Sequence, residues 1–320
     1  MSSPDFPRRR AVVTGGAGFL GSHVCEALVA DEYDVVCVDN GVTGGPGNVT
    51  HLLEERGFEL VEADVSTGLD VLGRVDLVMH LASPASPPDY LRLPVETMLV
   101  GSEGTRHALD LARRNDARFL LASTSEVYGD PQVNPQPETY WGNVNPVGPR
   151  AVYDEAKRFA EALTTAYRTT YGVDTAIARI FNTYGTRMRP HDGRVVPTFI
   201  AQALDGEPLT VFGDGTQTRS LCHVSDTVRG LLALVASGHP GPVNIGNPNE
   251  LTVREIAQTI VAAVGSSSTM EHCDLPVDDP QVRCPDITLA REELGWEPRV
   301  ELADGLTSTI EWFRSSRVGV

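Results

Sequence analysis

The chain has 320 residues, 41% hydrophobic and 22% charged, with 26 Lys and Arg against 43 Asp and Glu for a net charge of −17. That is the composition of an ordinary globular protein with room for two unequal lobes, not of a disordered chain. An acidic surface argues against broad binding to nucleic acid or to an anionic membrane, although a few arginines can still hold an anionic ligand locally.

Residues 1–10, MSSPDFPRRR, have no apolar run behind their arginines, so no secretory leader is expected. No stretch of about 18 apolar residues exists to span a membrane. Five cysteines (Cys25, Cys37, Cys222, Cys273 and Cys284) without C-x-x-C spacing argue against a disulfide framework or a zinc site, and eight scattered histidines point to no metal. A reducing, cytoplasmic compartment is the expectation.

From residue 11 short apolar runs alternate with helical patterns. AVVT (11–14), DVVCVDN (34–40), FELVEAD (58–64), VDLVMHLA (75–82), ARFLLAST (117–124) and DTAIARIF (174–181) read as strands; 18–30, 94–115 and 150–171 read as helices. Continuous apolar runs suit strands covered on both faces. The pattern predicts an α/β fold with a doubly wound parallel sheet of the Rossmann kind. After 182 Gly and Pro punctuate shorter elements, which reads as a smaller α/β C-terminal lobe. The expected division is 1–181 for dinucleotide binding and 182–320 for substrate, with some later segments returning to the first part.

The first strand runs into T-G-G-A-G-F-L-G-S-H, where Gly15, Gly18 and Gly21 lead into a helix. Glycine permits a tight turn and close approach of backbone to a pyrophosphate, which the helix N-terminus attracts. An ordinary glycine-rich turn is the plainer alternative. Asp39 closes the second strand, where a carboxylate accepts from both ribose hydroxyls and repels a 2′-phosphate, favouring NAD over NADP. Asp64 either contacts the adenine or serves its own turn.

Further along, Ser123-Thr124-Ser125-Glu126 follows the fifth strand, at the end of the sheet where ligands bind. Its hydroxyls suit a sugar oxygen and Glu126 suits proton relay; a helix-cap cluster is the alternative. Tyr153 and Lys157 form Y-x-x-x-K, one turn apart on one helix face. A nearby ammonium and the nicotinamide charge are expected to lower the phenol so that it takes a proton from a sugar hydroxyl. An amphipathic surface pair is the competing reading.

Together these motifs with L-A-S-P-A-S-P-P-D-Y (81–90), L-A-S-T-S-E-V-Y-G-D-P (121–131), Y-W-G-N-V-N-P-V-G-P-R (140–150), Y-D-E-A-K, A-R-I-F-N-T-Y-G (178–185), D-G-R-V-V (192–196) and D-D-P-Q-V-R (278–283) resemble the UDP-glucuronate decarboxylases, or UDP-xylose synthases, of the extended short-chain dehydrogenase/reductase group. The match runs in order over nearly the whole chain. The resemblance implies Tyr153 as base with Lys157, sugar contacts from Thr124 and Ser125, Glu126 near C4–C5, and Arg283 at the carboxylate; from the residues alone Arg283 reads as a surface arginine. It implies NAD contacts from Gly15, Gly18, Phe19, Leu20, Gly21, Asp39, Asn40, Thr43, Gly44, Asp64, Val65, Leu81, Ala82, Ser83, Tyr153, Lys157, Thr183 and Arg194. It implies substrate contacts from Pro84, Tyr90, Asn182, Val195, Val196, Phe212, Gln217, Arg219 and Arg283, and no metal. Where the family has a lysine and an asparagine in T-L-K-T-N, this chain has Leu99 and Gly101; Thr186 replaces a proline, and Cys222-His223 replaces Gln-Tyr.

The implied reaction oxidises C4 of UDP-glucuronate with bound NAD, loses carbon dioxide from the β-keto acid and re-reduces C4 to UDP-xylose. UDP-4-keto-pentose is the product if re-reduction fails. A homodimer without nucleic-acid or membrane partners is expected. A nucleotide-sugar 4,6-dehydratase, a 4-epimerase and, from another class, a non-catalytic NAD-binding regulator are the competing readings. The dehydratase is disfavoured by Ser125, too weak an acid to stand where that chemistry uses an aspartate before the glutamate.

Overall fold

The computed structural model describes residues 8–276 and 278–318. The expectation of no secretory leader falls largely on residues 1–7, which lie outside them.

In chain order the elements are β1 (Arg10–Thr14), α1 (Phe19–Ala30), β2 (Asp34–Asp39), β3 (Phe58–Glu62), β4 (Leu77–His80), α2 (Pro87–Arg92), α3 (Pro94–Leu99), α4 (Thr105–Asn115), β5 (Arg118–Thr124), α5 (Ala151–Tyr171) and β6 (Thr175–Ile180). There follow β7 (Thr183–Tyr184), α6 (Val195–Asp205), β8 (Leu209–Phe212), β9 (Thr218–Ser220), β10 (Cys222–His223), α7 (Val224–Ser237) and β11 (Val243–Ile245). Last come β12 (Glu250–Thr252), α8 (Val253–Val264), β13 (Met270–Cys273), α9 (Thr288–Leu294) and α10 (Leu302–Val318).

Seven strands form one parallel sheet in the order β11-β6-β5-β4-β1-β2-β3. The order reverses at β1, which lies between β4 and β2, so the ligand crevice of such a sheet opens at the carboxyl ends of β1 and β4. Val12, Val13, Val78, Met79, Phe119 and Leu120 are wholly buried, as strands covered on both faces require. β3 departs from that expectation. It is an edge strand, and Glu59 and Glu62 are exposed. The helix expected over 94–115 is interrupted by a π turn at Val100–Gly104, which contains two glycines, poor helix formers.

The chain divides into two compact units. One comprises the chain up to Ser83 together with Leu99–Ala122 and Phe159–Ala176. The other comprises Pro84–Met98, Ser123–Arg158 and the chain from Ile177 onward. In the second, three two-stranded sheets (β7 with β10, β9 with β12, β8 with β13) accompany α6, which packs on α8 and α10. A capping box of Thr252 and Glu255 starts α8. Among the described residues no helix is long and apolar enough to cross a membrane.

Candidate active site

In the first unit the chain turns from β1 into α1 over four residues. Gly15 takes φ +70°, which side-chain-bearing residues rarely adopt. A Cβ on Gly21 would lie 2.1 Å from the Gly15 carbonyl oxygen. Gly18 is the N-cap of α1 and no side chain caps the helix, the arrangement a pyrophosphate approaching Phe19 and Leu20 requires. The Asp39 carboxylate accepts from Ala17 N at 3.0 Å and Gly41 N at 2.8 Å. Its remaining lone pairs suit ribose hydroxyls. Gly44, after Thr43, approaches Ala17 so closely that a Cβ would lie 2.9 Å from its carbonyl.

Asn40 reaches Asp64 at 3.3 Å, while Asp64 accepts from Ser66 N at 2.8 Å and Ser66 Oγ at 2.7 Å. Asp64 is thus built into its own turn, ahead of buried Val65. Leu81 N donates to Thr14 O at 3.0 Å, and a Cβ on Gly15 would lie 2.7 Å from Ala82. Buried Thr14 Oγ1 and His80 Nδ1, 2.7 Å apart, fix this strand end ahead of Ser83. The missing side chains and the uncapped helix fit a dinucleotide.

The second unit holds the titratable cluster. Thr124 ends β5, and its hydroxyl accepts from Glu126 N at 3.2 Å, holding Ser125–Tyr128 in a tight helical turn. Tyr153 and Lys157 lie in the first turns of α5, and both are buried. Lys157 Nζ stands 5.9 Å from the Tyr153 ring centre. The Thr124 and Tyr153 hydroxyls share a hydrogen bond.

In the protein alone the Tyr153 phenol does not follow the expected lowering. Burial pushes it up to about 12, with Thr124 and Arg194 opposing and Glu126 and Asp154 adding to the rise. Its ring lies parallel to that of Tyr90, centroids 5.3 Å apart. The buried Tyr90 hydroxyl has no hydrogen-bond partner.

Arg150 Nη2 donates to Glu126 Oε2 at 2.6 Å, and Arg283 Nη2 to the same oxygen at 3.1 Å. Arg283 also donates to the Ser125 carbonyl. It is 1% exposed, so the surface reading of this arginine is wrong. Burial alone would raise Glu126, but Arg283, Arg150 and Arg219 hold it down to about 2. Arg219 donates to Asp279 at 2.8 Å and to the Thr218 and Pro280 carbonyls at 2.8 and 2.9 Å. A cavity of about 250 Å³ opens beside Glu126 and Arg150.

The remaining expected contacts lie in the same unit. Pro84 is buried, and the following loop is tied by Asp89, which pairs with Arg189 and accepts from Ser86 Oγ at 2.6 Å. Arg194 pairs with Asp192 and stands at the N-cap position of α6, whose first residues are Val195 and Val196. The Asn182 carbonyl accepts from Cys222 N at 2.9 Å, and buried Thr183 meets Thr227 at 2.9 Å. Phe212 is 43% exposed, and its carbonyl accepts from Gln217 at 2.7 Å. No disulfide joins the five cysteines, and among the described residues no group of three or more His, Cys, Asp or Glu could hold a metal ion.

Sequence reasoning missed Arg150, Asp154 and Asp279. All three stand inside quoted motifs, within four positions of Tyr153 or Arg283, and an ionisable residue so near a named one was the available signal.

The NAD dependent epimerase/dehydratase family matches residues 11–246. The chain belongs to this family. Within it, the chain is 52% identical to a UDP-glucuronic acid decarboxylase 1 of Danio rerio over 96% of its own length and 73% of the relative's. It is 50% identical to a UDP-glucuronic acid decarboxylase 3 of Arabidopsis thaliana over 96% of its length and 90% of the relative's. A solved UDP-glucuronic acid 4-epimerase mutant from Bacillus cereus, in complex with UDP-4-deoxy-4-fluoro-glucuronic acid and NAD, is 28% identical with a TM-score of 0.83, covering 96% of this chain and 99% of that one.

Proposed function

We propose that this family member decarboxylates UDP-glucuronate to UDP-xylose, with UDP-4-keto-pentose as a second product. One observation carries the reading: Arg150 and Arg283 meet on Glu126 in the same unit as the stacked Tyr153. Each guanidinium has five N–H donors, so the pair can hold a second carboxylate, that of the uronic acid, beside Glu126. The roughly 50% identity to named decarboxylases supports it.

NAD, taken by the glycine turn and Asp39 in the part read as 1–181, supplies the hydride acceptor and donor for C4. The chain's own groups do the rest. The Tyr153 oxygen, oriented by Thr124, takes the O4 proton and later returns it; Lys157 and Arg194 supply positive charge that favours its ionised form. Once C4 is a ketone, C6 belongs to a β-keto acid. Carbon dioxide leaves and its bonding electrons pass to O4 as an enolate, which hydrogen-bond donors stabilise. Asn182, Val195, Val196, Phe212, Gln217 and Arg219, in the part read as 182–320, take the UDP moiety, and Pro84 and Tyr90 shape the sugar end.

We read the chain as a cytoplasmic homodimer. Exposed Leu91, Val95 and Met98 on α2 and α3 supply apolar surface for a second copy. Sedimentation of the purified protein tests the dimer.

Incubation with UDP-glucuronate and, separately, UDP-glucose and dTDP-glucose, followed by mass spectrometry, tests the reaction. A loss of carbon dioxide from UDP-glucuronate alone is expected. Loss of water from a glucose nucleotide would make it a dehydratase, and retention of the carboxylate with C4 inverted an epimerase.

A further inference from the structure

Decarboxylation consumes a proton. The O4 proton that Tyr153 takes goes back to O4, so the hydrogen that C5 gains must come from elsewhere. Glu126 is an unsuitable source because its arginines keep it ionised. Arg283 holds its proton too tightly.

Asp154 follows Tyr153 on α5 and lies one turn beyond Arg150. It is 5% exposed, and its Oδ1 is buried without a hydrogen-bond partner. It lines the cavity of about 250 Å³ together with Glu126, Arg150, Asp130, Asp278 and Asp279. Burial, and then the charge of Glu126, hold its carboxyl up to about 7, against the pull of Arg150 and Arg283 and with a smaller push from Glu155. An acid in that range is matched to neutral operation.

We propose that Asp154 stores the proton that C5 takes up and passes it on through water in the cavity it lines. The inference rests on the decarboxylase reading. The enolate's electron pair forms the C5–H bond while O4 returns to a ketone. The Asp154 O–H bond breaks by relay, and the carboxylate regains a proton from solvent. The sum is UDP-glucuronate plus one proton giving carbon dioxide and a UDP-pentose.

The test is rapid-quench kinetics of Asp154→Asn with UDP-glucuronate labelled at C6. Carbon dioxide equal to the enzyme should appear at the wild-type rate in the first turnover, with the UDP-pentose following about 100-fold more slowly. Asp154→Glu should restore most of that loss. In the wild type, pentose formation should fall as pH rises through about 7, and Asp154→Asn should lack that limb. Wild-type pentose formation in Asp154→Asn, or a burst slowed as much as the turnover, overturns the inference. Should Asp154→Asn not fold, an Asp154→Glu limb unmoved from the wild type overturns it, and a shifted limb supports it. A wild-type enzyme that releases no carbon dioxide overturns the decarboxylase reading itself, whatever Asp154 does.

Discussion

Tyr90 lies flat on Tyr153, with ring centroids 5.3 Å apart and planes 8° from parallel. The stack fixes the ring plane of the residue assigned as base, and it leaves the Tyr90 hydroxyl buried and unpartnered. Tyr90→Phe keeps the stack and removes that hydroxyl, so folding stability should stay level or rise by about 1 kcal/mol. If the hydroxyl meets the uronic acid, KM for UDP-glucuronate rises several-fold in the same variant. Thermal melts and steady-state kinetics check the two together.

Tyr153→Phe should leave the fold intact and lower carbon dioxide release by about 10²- to 10⁴-fold. Isothermal titration with UDP should show unchanged binding. Near-normal turnover would remove Tyr153 from the role of base.

The glycine turn and the Tyr153–Lys157 pair were legible because each is local. A strand, a turn and a helix follow one another between Arg10 and Ala30, and helical periodicity puts a residue and its fourth neighbour on one face. The arginine cluster was not legible in that way. Arg150 stands 24 positions from Glu126 and Arg283 stands 157, so only the fold brings them together. Without the family resemblance, burial of Arg283 ran against the usual place of arginine. The exposure of β3 was hidden for a related reason, since its place at the sheet edge depends on neighbours in space, whereas the π turn inside 94–115 goes with Gly101 and Gly104, which the sequence displays.

Acid stability should report on Glu126. Its carboxyl is held down to about 2 from an ordinary 4.5, so its share of folding stability is whole above 4.5 and is lost as pH falls toward 2. Glu126→Gln should remove that acid-sensitive share. At neutral pH it should cost about 2 kcal/mol, less than for a fully buried pair because Glu126 keeps some exposure. Melting temperature across the acid range checks both.

Asp154 runs the opposite way. Its carboxyl is raised from 3.8 to about 7, so its stabilising share is whole below 3.8 and is lost as pH rises through 7. Asp154→Asn should therefore melt higher than the wild type above neutrality and show little difference in acid.

Gly21→Val places side-chain atoms where a Cβ alone would stand 2.1 Å from the Gly15 oxygen. NAD binding, followed by fluorescence titration, should weaken by more than about tenfold, a loss of about 1.4 kcal/mol or more. UDP binding in the second unit should hold.

The most direct measurement is release of labelled carbon dioxide when purified wild-type protein meets UDP-glucuronate labelled at C6. Label in the gas phase, with an unlabelled UDP-pentose left behind, is the expected result. Label retained in a UDP-hexuronate, whether unchanged or inverted at C4, would contradict it.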